Sequence, residues 1–135
     1  MNVFVYGTLL VPRIWAAVTR SPEVASEPAS LPRYQIARVR QADFPAIVET
    51  GEASDLVPGR VMLNVPESAI QRLDAYEDTF YERVEVEVSL RGSPMRADVY
   101  RVPKPSAAAL LTDETWTLEW FEEHALERYW KRLFG

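Results

Sequence analysis

Val84, Val86, Val88 and Leu90 alternate with Glu85, Glu87 and Ser89. An extended chain sends successive side chains to opposite faces, so this stretch reads as a strand with one dry face and one wet face. Gly92-Ser93-Pro94 follows as a turn signal, and Ala97, Val99 and their neighbours supply a hairpin partner that Pro103 and Pro105 close. The rest of the fold has to be compatible with this half-wet sheet.

The other segments are read the same way. Asn2 to Tyr6 is apolar, rich in β-branched and aromatic residues, and ends at Gly7, which makes it a buried strand. Pro12 suits the first turn of a helix, and Ile14, Trp15, Ala17 and Val18 follow at helical spacing. Ser21 to Pro32 holds three prolines among small and acidic residues and reads as a loop. Tyr34 to Val39 and Ala46 to Glu49 read as short strands around a turn at Asp43-Phe44-Pro45, and Gly59 to Val65 as another strand. Pro66 and Glu67 start a helix that runs to Asp78, and Leu118, Phe121, Ala125 and Tyr129 mark one amphipathic helix reaching Leu133. Strands outnumber helices and do not alternate strictly with them. That favours an α+β fold, a mixed sheet curled toward a barrel, over a doubly wound parallel sheet. With 135 residues and no internal repeat, a single domain over residues 1–135 is expected.

Composition removes many functions. Apolar residues make up 47% and charged residues 26%, too apolar for a disordered chain. With 20 acidic against 15 basic residues, the net charge of -5 lacks the cationic surplus that phosphate neutralisation requires, so no nucleic-acid partner is expected. The absence of cysteine removes disulfides, thiolate metal sites and a cysteine nucleophile, and the single histidine, His124, removes multi-histidine metal sites. No cofactor is expected. No apolar run reaches bilayer length, and the first residues lack the basic region of a signal peptide. A soluble cytoplasmic protein without a membrane partner is therefore expected; its oligomeric state is open.

Three places could carry chemistry. On a helical wheel with Ile70 at zero, Leu73 falls at about 300° and Glu77 at about 340°, so Glu77 lies between two apolar residues on the face that should point inward. A carboxylate there is costly unless it is paired or has a task, and desolvation would make it a better proton acceptor near neutrality. Two ordinary readings stand beside this one: a frayed helix end, or a pair with Arg83. The second place is Tyr6-Gly7-Thr8-Leu9-Leu10, a strand-to-helix turn whose backbone N–H groups can converge on an anion and whose glycine admits a close ligand. The same residues also fit an ordinary turn. The third is Tyr81 and Arg83, which either orient a substrate or serve the strand surface. His124 has no G-x-S-x-G partner motif. Trp116, Trp120, Phe121, Tyr129 and Trp130 read as packing or a subunit contact.

These pieces, taken in order, resemble a known family. Val3-Phe4-Val5-Tyr6-Gly7-Thr8-Leu9, Phe44-Pro45-Ala46-Ile47-Val48, Val57-Pro58-Gly59-Arg60-Val61, Leu73-Asp74-Ala75-Tyr76-Glu77 and Tyr81-Glu82-Arg83 are similar to the gamma-glutamylcyclotransferase-like superfamily, in its avirulence-induced-gene-like and gamma-glutamylamine cyclotransferase branch. The resemblance implies a small mixed β-barrel with flanking helices. It implies Glu77 as the catalytic acid/base, and a substrate site formed by Tyr6, Gly7, Thr8 and Leu9, with Tyr81 and Arg83 nearby. Two positions depart from the pattern: Asp78 stands where glycine often follows the glutamate, and Phe44 where tyrosine often precedes the proline.

The implied partner is a small γ-glutamyl compound. Its own α-amine attacks the γ-carbonyl, releasing 5-oxoproline and a free amine, so the protein needs no nucleophile or metal. A binding module for the same ligand, or a maturation enzyme removing a γ-glutamyl protecting group, are the alternatives.

Overall fold

The computed structural model describes residues 1–135. Its strands are β1 (Val3–Val5), β2 (Ser26–Pro32), β3 (Tyr34–Arg38), β4 (Pro45–Glu49), β5 (Leu56–Met62), β6 (Glu82–Leu90) and β7 (Ser93–Arg101). Its helices are α1 (Pro12–Thr19), α2 (Glu67–Tyr76), α3 (Ala107–Leu110), α4 (Leu118–His124) and α5 (Leu126–Phe134), with 3-10 turns at Thr8–Leu10 and Lys104–Ser106. Five strands close into a barrel in the order β1-β5-β2-β6-β7, antiparallel except where β1 meets β7 at Val3↔Asp98. β3 and β4 form a separate antiparallel ribbon. The α+β mixed barrel with flanking helices is therefore the fold.

The period-2 segment is β6, and it pairs with β7 from Glu82↔Arg101 to Leu90↔Ser93. Arg91 and Gly92 make the turn, both at positive φ (53° and 80°), the two-residue geometry whose twist matches the flanking strands. Ser93 and Pro94, expected in the turn, already belong to β7, so the turn starts one residue earlier than expected. β1 is buried on both faces: Phe4 and Tyr6 point into the barrel with Val57, Val61, Val88 and Val99, while Val3 and Val5 pack outward against Ile14, Ile70 and Leu73. That accounts for its unbroken apolar run. Each fully buried aliphatic or phenylalanine side chain here contributes about 1.5–3 kcal/mol relative to exposure.

Three expectations are corrected. Ser26–Pro32 is a strand and not a loop, pairing with β5 from Ser26↔Met62 to Pro32↔Leu56. Its prolines are tolerated because on its other side β2 meets β6 in register only at Ser30↔Ser89, so few N–H groups are needed there. The strand expected over 59–65 is shifted toward the N-terminus, to Leu56–Met62. The single C-terminal helix is two, because Ala125 leaves helical geometry (φ -131°, ψ -22°) and lets α5 fold Tyr129 against Phe121, ring centroids 5.3 Å apart. No helix is long and apolar enough to cross a membrane.

Candidate active site

β1 delivers Tyr6 and the first turn to one end of the barrel, and α2 ends beside them. Helix α2 stops at Tyr76, where the Glu77 N–H donates to Leu73 O at 3.0 Å and the Glu77 backbone turns extended (φ -71°, ψ 143°). Glu77 is thus the residue after the helix and not part of its apolar face. The wheel expects Glu77 to face inward along the helix; in the structure it is the exit of the chain that turns its side chain to the cavity. Its side chain lines a cavity with about 500 Å³ of empty space, open mouth included. Tyr6, Gly7, Thr8 and Leu9 form one wall, Phe44 and Pro45 another, and Tyr76, Asp78, Tyr81, Tyr100 and Tyr129 complete it.

The electrostatics single out Glu77. Its carboxyl forms no ion pair or hydrogen bond within the protein. Burial, reinforced by the negative charges of Asp78 and Asp74, pushes its pKa from 4.5 up to about 8. Arg83, a candidate partner, is engaged elsewhere, with Asp74 at 2.9 Å and Asp98 at 2.6 Å. Arg83 is not part of the cavity lining, so the structure does not bring it to the site. Glu77 and Asp78 are the lining's only charged side chains.

Hydroxyls fix the rest of the wall. Tyr6 donates to Tyr100 O at 2.7 Å and Tyr81 to Pro45 O at 2.6 Å. Thr8 Oγ1 and the Tyr76 hydroxyl share a hydrogen bond at 2.9 Å, and Tyr76 is hydrogen-bonded in turn to Tyr129. Burial raises the pKa of the Tyr6, Tyr76, Tyr81 and Tyr129 phenols, so they remain neutral donors and acceptors.

Gly7 lines the cavity, and its lack of a side chain also serves packing. A Cβ there would lie 3.0 and 3.1 Å from Pro45 Cγ and Cδ, so the missing side chain lets the Pro45 ring close on the turn. The backbone N–H groups of Thr8 and Leu9 open the 3-10 turn and have no acceptor within it.

Sequence reading did not pick Tyr76, Tyr100 and Tyr129 as site residues. Tyr76 adjoins Glu77 and was within reach of the reading, whereas Tyr100 and Tyr129 converge on the cavity only through the barrel and the Ala125 break. His124 lies away from the cavity, its ring 6.1 Å from that of Trp120. No group of three or more His, Cys, Asp or Glu is arranged to hold a metal ion.

Residues 3–118 match the family described as gamma-glutamyl cyclotransferase, AIG2-like. The chain belongs to that family. AIG2-like protein A of Arabidopsis thaliana is 40% identical over 88 residues, a match covering 63% of this chain and 50% of that one. The chain spans about half the length of the curated relatives it matches. A solution structure of an Arabidopsis thaliana protein superposes with a TM-score of 0.72 at 26% identity, covering 97% of this chain and 78% of that one. A solved gamma-glutamyl cyclotransferase superposes with a TM-score of 0.60 at 17% identity, over 76% of this chain and 66% of that one, a likeness of fold. Within the AIG2-like fold, Asp78 costs no strain, because it is not among the residues with positive φ. Phe44, stacked on Phe80 with centroids 6.4 Å apart, gives the cavity an apolar edge where a tyrosine would add a hydroxyl.

Proposed function

We propose that this AIG2-like protein is a γ-glutamyl cyclotransferase with Glu77 as its acid/base. The substrate's α-amine attacks its own γ-carbonyl. A C–N bond forms within the five-membered ring, the γ-amide C–N bond breaks, and 5-oxoproline leaves with a free amine. Glu77 takes the proton released by the α-ammonium and returns one to the departing nitrogen.

The observation that carries this reading is a cavity-lining carboxyl with no protein partner and a pKa of about 8. The substrate's α-ammonium, beside its own free carboxylate, is a weaker acid than a peptide N-terminus, so a carboxyl raised this far matches it better than an ordinary carboxylate does. A lining whose only charges are Glu77 and Asp78 attracts an ammonium. Its arrival stabilises the Glu77 carboxylate and prepares the base. The Gly7 to Leu9 backbone is the proposed support for the substrate carboxylate or the developing oxyanion. Tyr6 and Tyr81, tied to backbone carbonyls, hold the pocket's shape so that the chain can fold back on itself to react.

The test is a mass-spectrometric screen for 5-oxoproline across glutathione, γ-glutamyl dipeptides, γ-glutamyl-lysine and simple γ-glutamyl amides. Release from at least one supports the reading. Ligand-induced stabilisation with no product from any compound would replace it with a binding module.

A further inference from the structure

We propose that Tyr129 is a further catalytic residue: its phenol, held by Tyr76 and Thr8, donates a hydrogen bond to the substrate's γ-carbonyl oxygen as negative charge gathers there. The proposal rests on the cyclotransferase reading above and adds to it a donor from the last helix. Tyr129 lies on α5, beyond the residues 3–118 that match the family.

Three hydroxyls meet at the cavity wall, those of Thr8, Tyr76 and Tyr129. Thr8 and Tyr129 are almost completely buried. Two hydrogen bonds join the three, one between Thr8 Oγ1 and the Tyr76 hydroxyl at 2.9 Å and one between the Tyr76 and Tyr129 hydroxyls. Each hydroxyl owns one proton. Two bonds use two of the three protons, so one O–H is left over whichever way the bonds run. None of the three hydroxyls has another protein partner. An unpaired donor at a buried wall is costly unless a ligand accepts from it.

The spare O–H belongs to Tyr129. Burial raises the Tyr129 pKa, and the hydrogen bonds from Tyr76 and Thr8 oppose the rise, as bonds donated to the phenol oxygen do. Tyr129 is thus the accepting end of the chain and keeps its own proton to donate. The Arg132 guanidinium carbon lies 5.5 Å from the Tyr129 ring centroid. A cation there also draws the pKa down and makes the phenol a stronger donor. The break at Ala125 brings the ring to this place and packs it against Phe121, centroids 5.3 Å apart.

Thr8 ties this donor to the first turn. Its hydroxyl ends the chain, and its backbone N–H, with that of Leu9, opens the 3-10 turn without an acceptor in it. The phenol and the two N–H groups are therefore linked to one piece of backbone. Several neutral donors on one frame, in a lining without a cation, suit an oxygen whose charge grows during the reaction. When the α-amine attacks, the new C–N bond forms and the C=O π pair moves onto the γ-oxygen. Tyr129 donates a hydrogen bond to that oxygen and keeps its proton. When the γ-amide C–N bond breaks, the pair returns, the carbonyl of 5-oxoproline re-forms, and the leaving nitrogen takes its proton from Glu77.

The experiment measures 5-oxoproline release and calorimetric Kd for the native protein, Tyr129→Phe and Tyr76→Phe, on the compound of the screen that releases most 5-oxoproline. Phenylalanine at 129 keeps the ring that packs on Phe121 and removes only the hydroxyl; thermal unfolding checks that both variants fold. Tyr129→Phe is expected to lose about 100-fold in kcat, with Kd almost unchanged. Its kcat/KM should keep the pH limb set by Glu77, since Tyr129 transfers no proton. Tyr76→Phe leaves the Tyr129 O–H but removes its alignment, and is expected to lose less in kcat, again at unchanged Kd.

Near-native kcat in Tyr129→Phe overturns the assignment and leaves the cyclotransferase reading standing. A weaker Kd with kcat unchanged also overturns it, and gives the phenol to the substrate carboxylate instead. A pH limb that moves in Tyr129→Phe overturns it as well, by marking a rearranged pocket. No 5-oxoproline from the native protein overturns the cyclotransferase reading and the Tyr129 role together.

Discussion

Replacing Glu77 by glutamine keeps the size of the side chain and removes its charge, so its effect on stability should depend on pH in a way that a packing change would not. Below pH 4.5 the glutamate is neutral in both the folded and the unfolded chain, and the two proteins should be equally stable. Above that, the unfolded chain gives up the proton while the folded one keeps it up to about pH 8. The native state then binds more protons than the unfolded state, so native stability falls as pH rises through this window and levels off above it. From 4.5 to about 8, at about 1.4 kcal/mol per pH unit, the ceiling is about 5 kcal/mol. Water entering the open cavity relieves part of this cost, so about 2–3 kcal/mol at pH 8 is expected. Urea unfolding of both proteins at pH 4, 6 and 8 measures the difference, in which other titrating groups largely cancel. Coincident stabilities at pH 4 and a Glu77→Gln protein more stable by that amount at pH 8 are expected. A difference independent of pH, or a less stable variant at pH 8, would refute the shielded-carboxyl argument.

Other outcomes follow from single contacts. Gly59→Ala would put a Cβ 2.2 Å from Val5 O and 2.7 Å from Phe4 Cζ, so β1 and β5 would have to separate; a loss of about 3 kcal/mol or more is expected in thermal unfolding. Asp43 is buried and held below the usual carboxylate range chiefly by Arg128. Asp43→Ala should cost about 2–3 kcal/mol in urea unfolding at pH 7. The effect should shrink as pH falls below the ordinary carboxylate range, because a depressed pKa stabilises fully only above the unfolded value and is lost as pH falls through the folded one. The rate with a γ-glutamyl substrate should rise with pH along a limb well above the ordinary carboxylate range, since substrate-free Glu77 titrates at about 8; a limb at pH 4–5 in kcat/KM would contradict this.

Much of the barrel was legible in the sequence because its strands carry simple patterns. β6 alternates, with Val88 buried and Glu85 and Glu87 exposed, and β1 is apolar throughout because both its faces are covered. β2 was not legible. Its prolines are turn residues in isolation, and only its sparse pairing with β6 permits them in a strand. The break at Ala125 was equally hidden, since Leu118, Phe121, Ala125 and Tyr129 keep helical spacing on both sides of it. At the site, Glu77 stood out as an acid among apolar residues, and Tyr6 to Leu9 as a strand ending at glycine. Arg83 looked like part of the same cluster by proximity in sequence, but β6 points it toward Asp98 on β7 and Asp74 on α2. Tyr100 and Tyr129 carry no local signal of function; they meet the cavity through tertiary packing.

The central claim is that the Glu77 carboxyl ferries protons for the closing ring. The most direct test compares 5-oxoproline release by the native protein and by Glu77→Gln on the best substrate of the screen, with calorimetric binding measured in parallel. Native turnover together with a variant that still binds the substrate and loses at least about 100-fold in kcat is expected. A variant that binds and releases 5-oxoproline at a near-native rate would contradict the account.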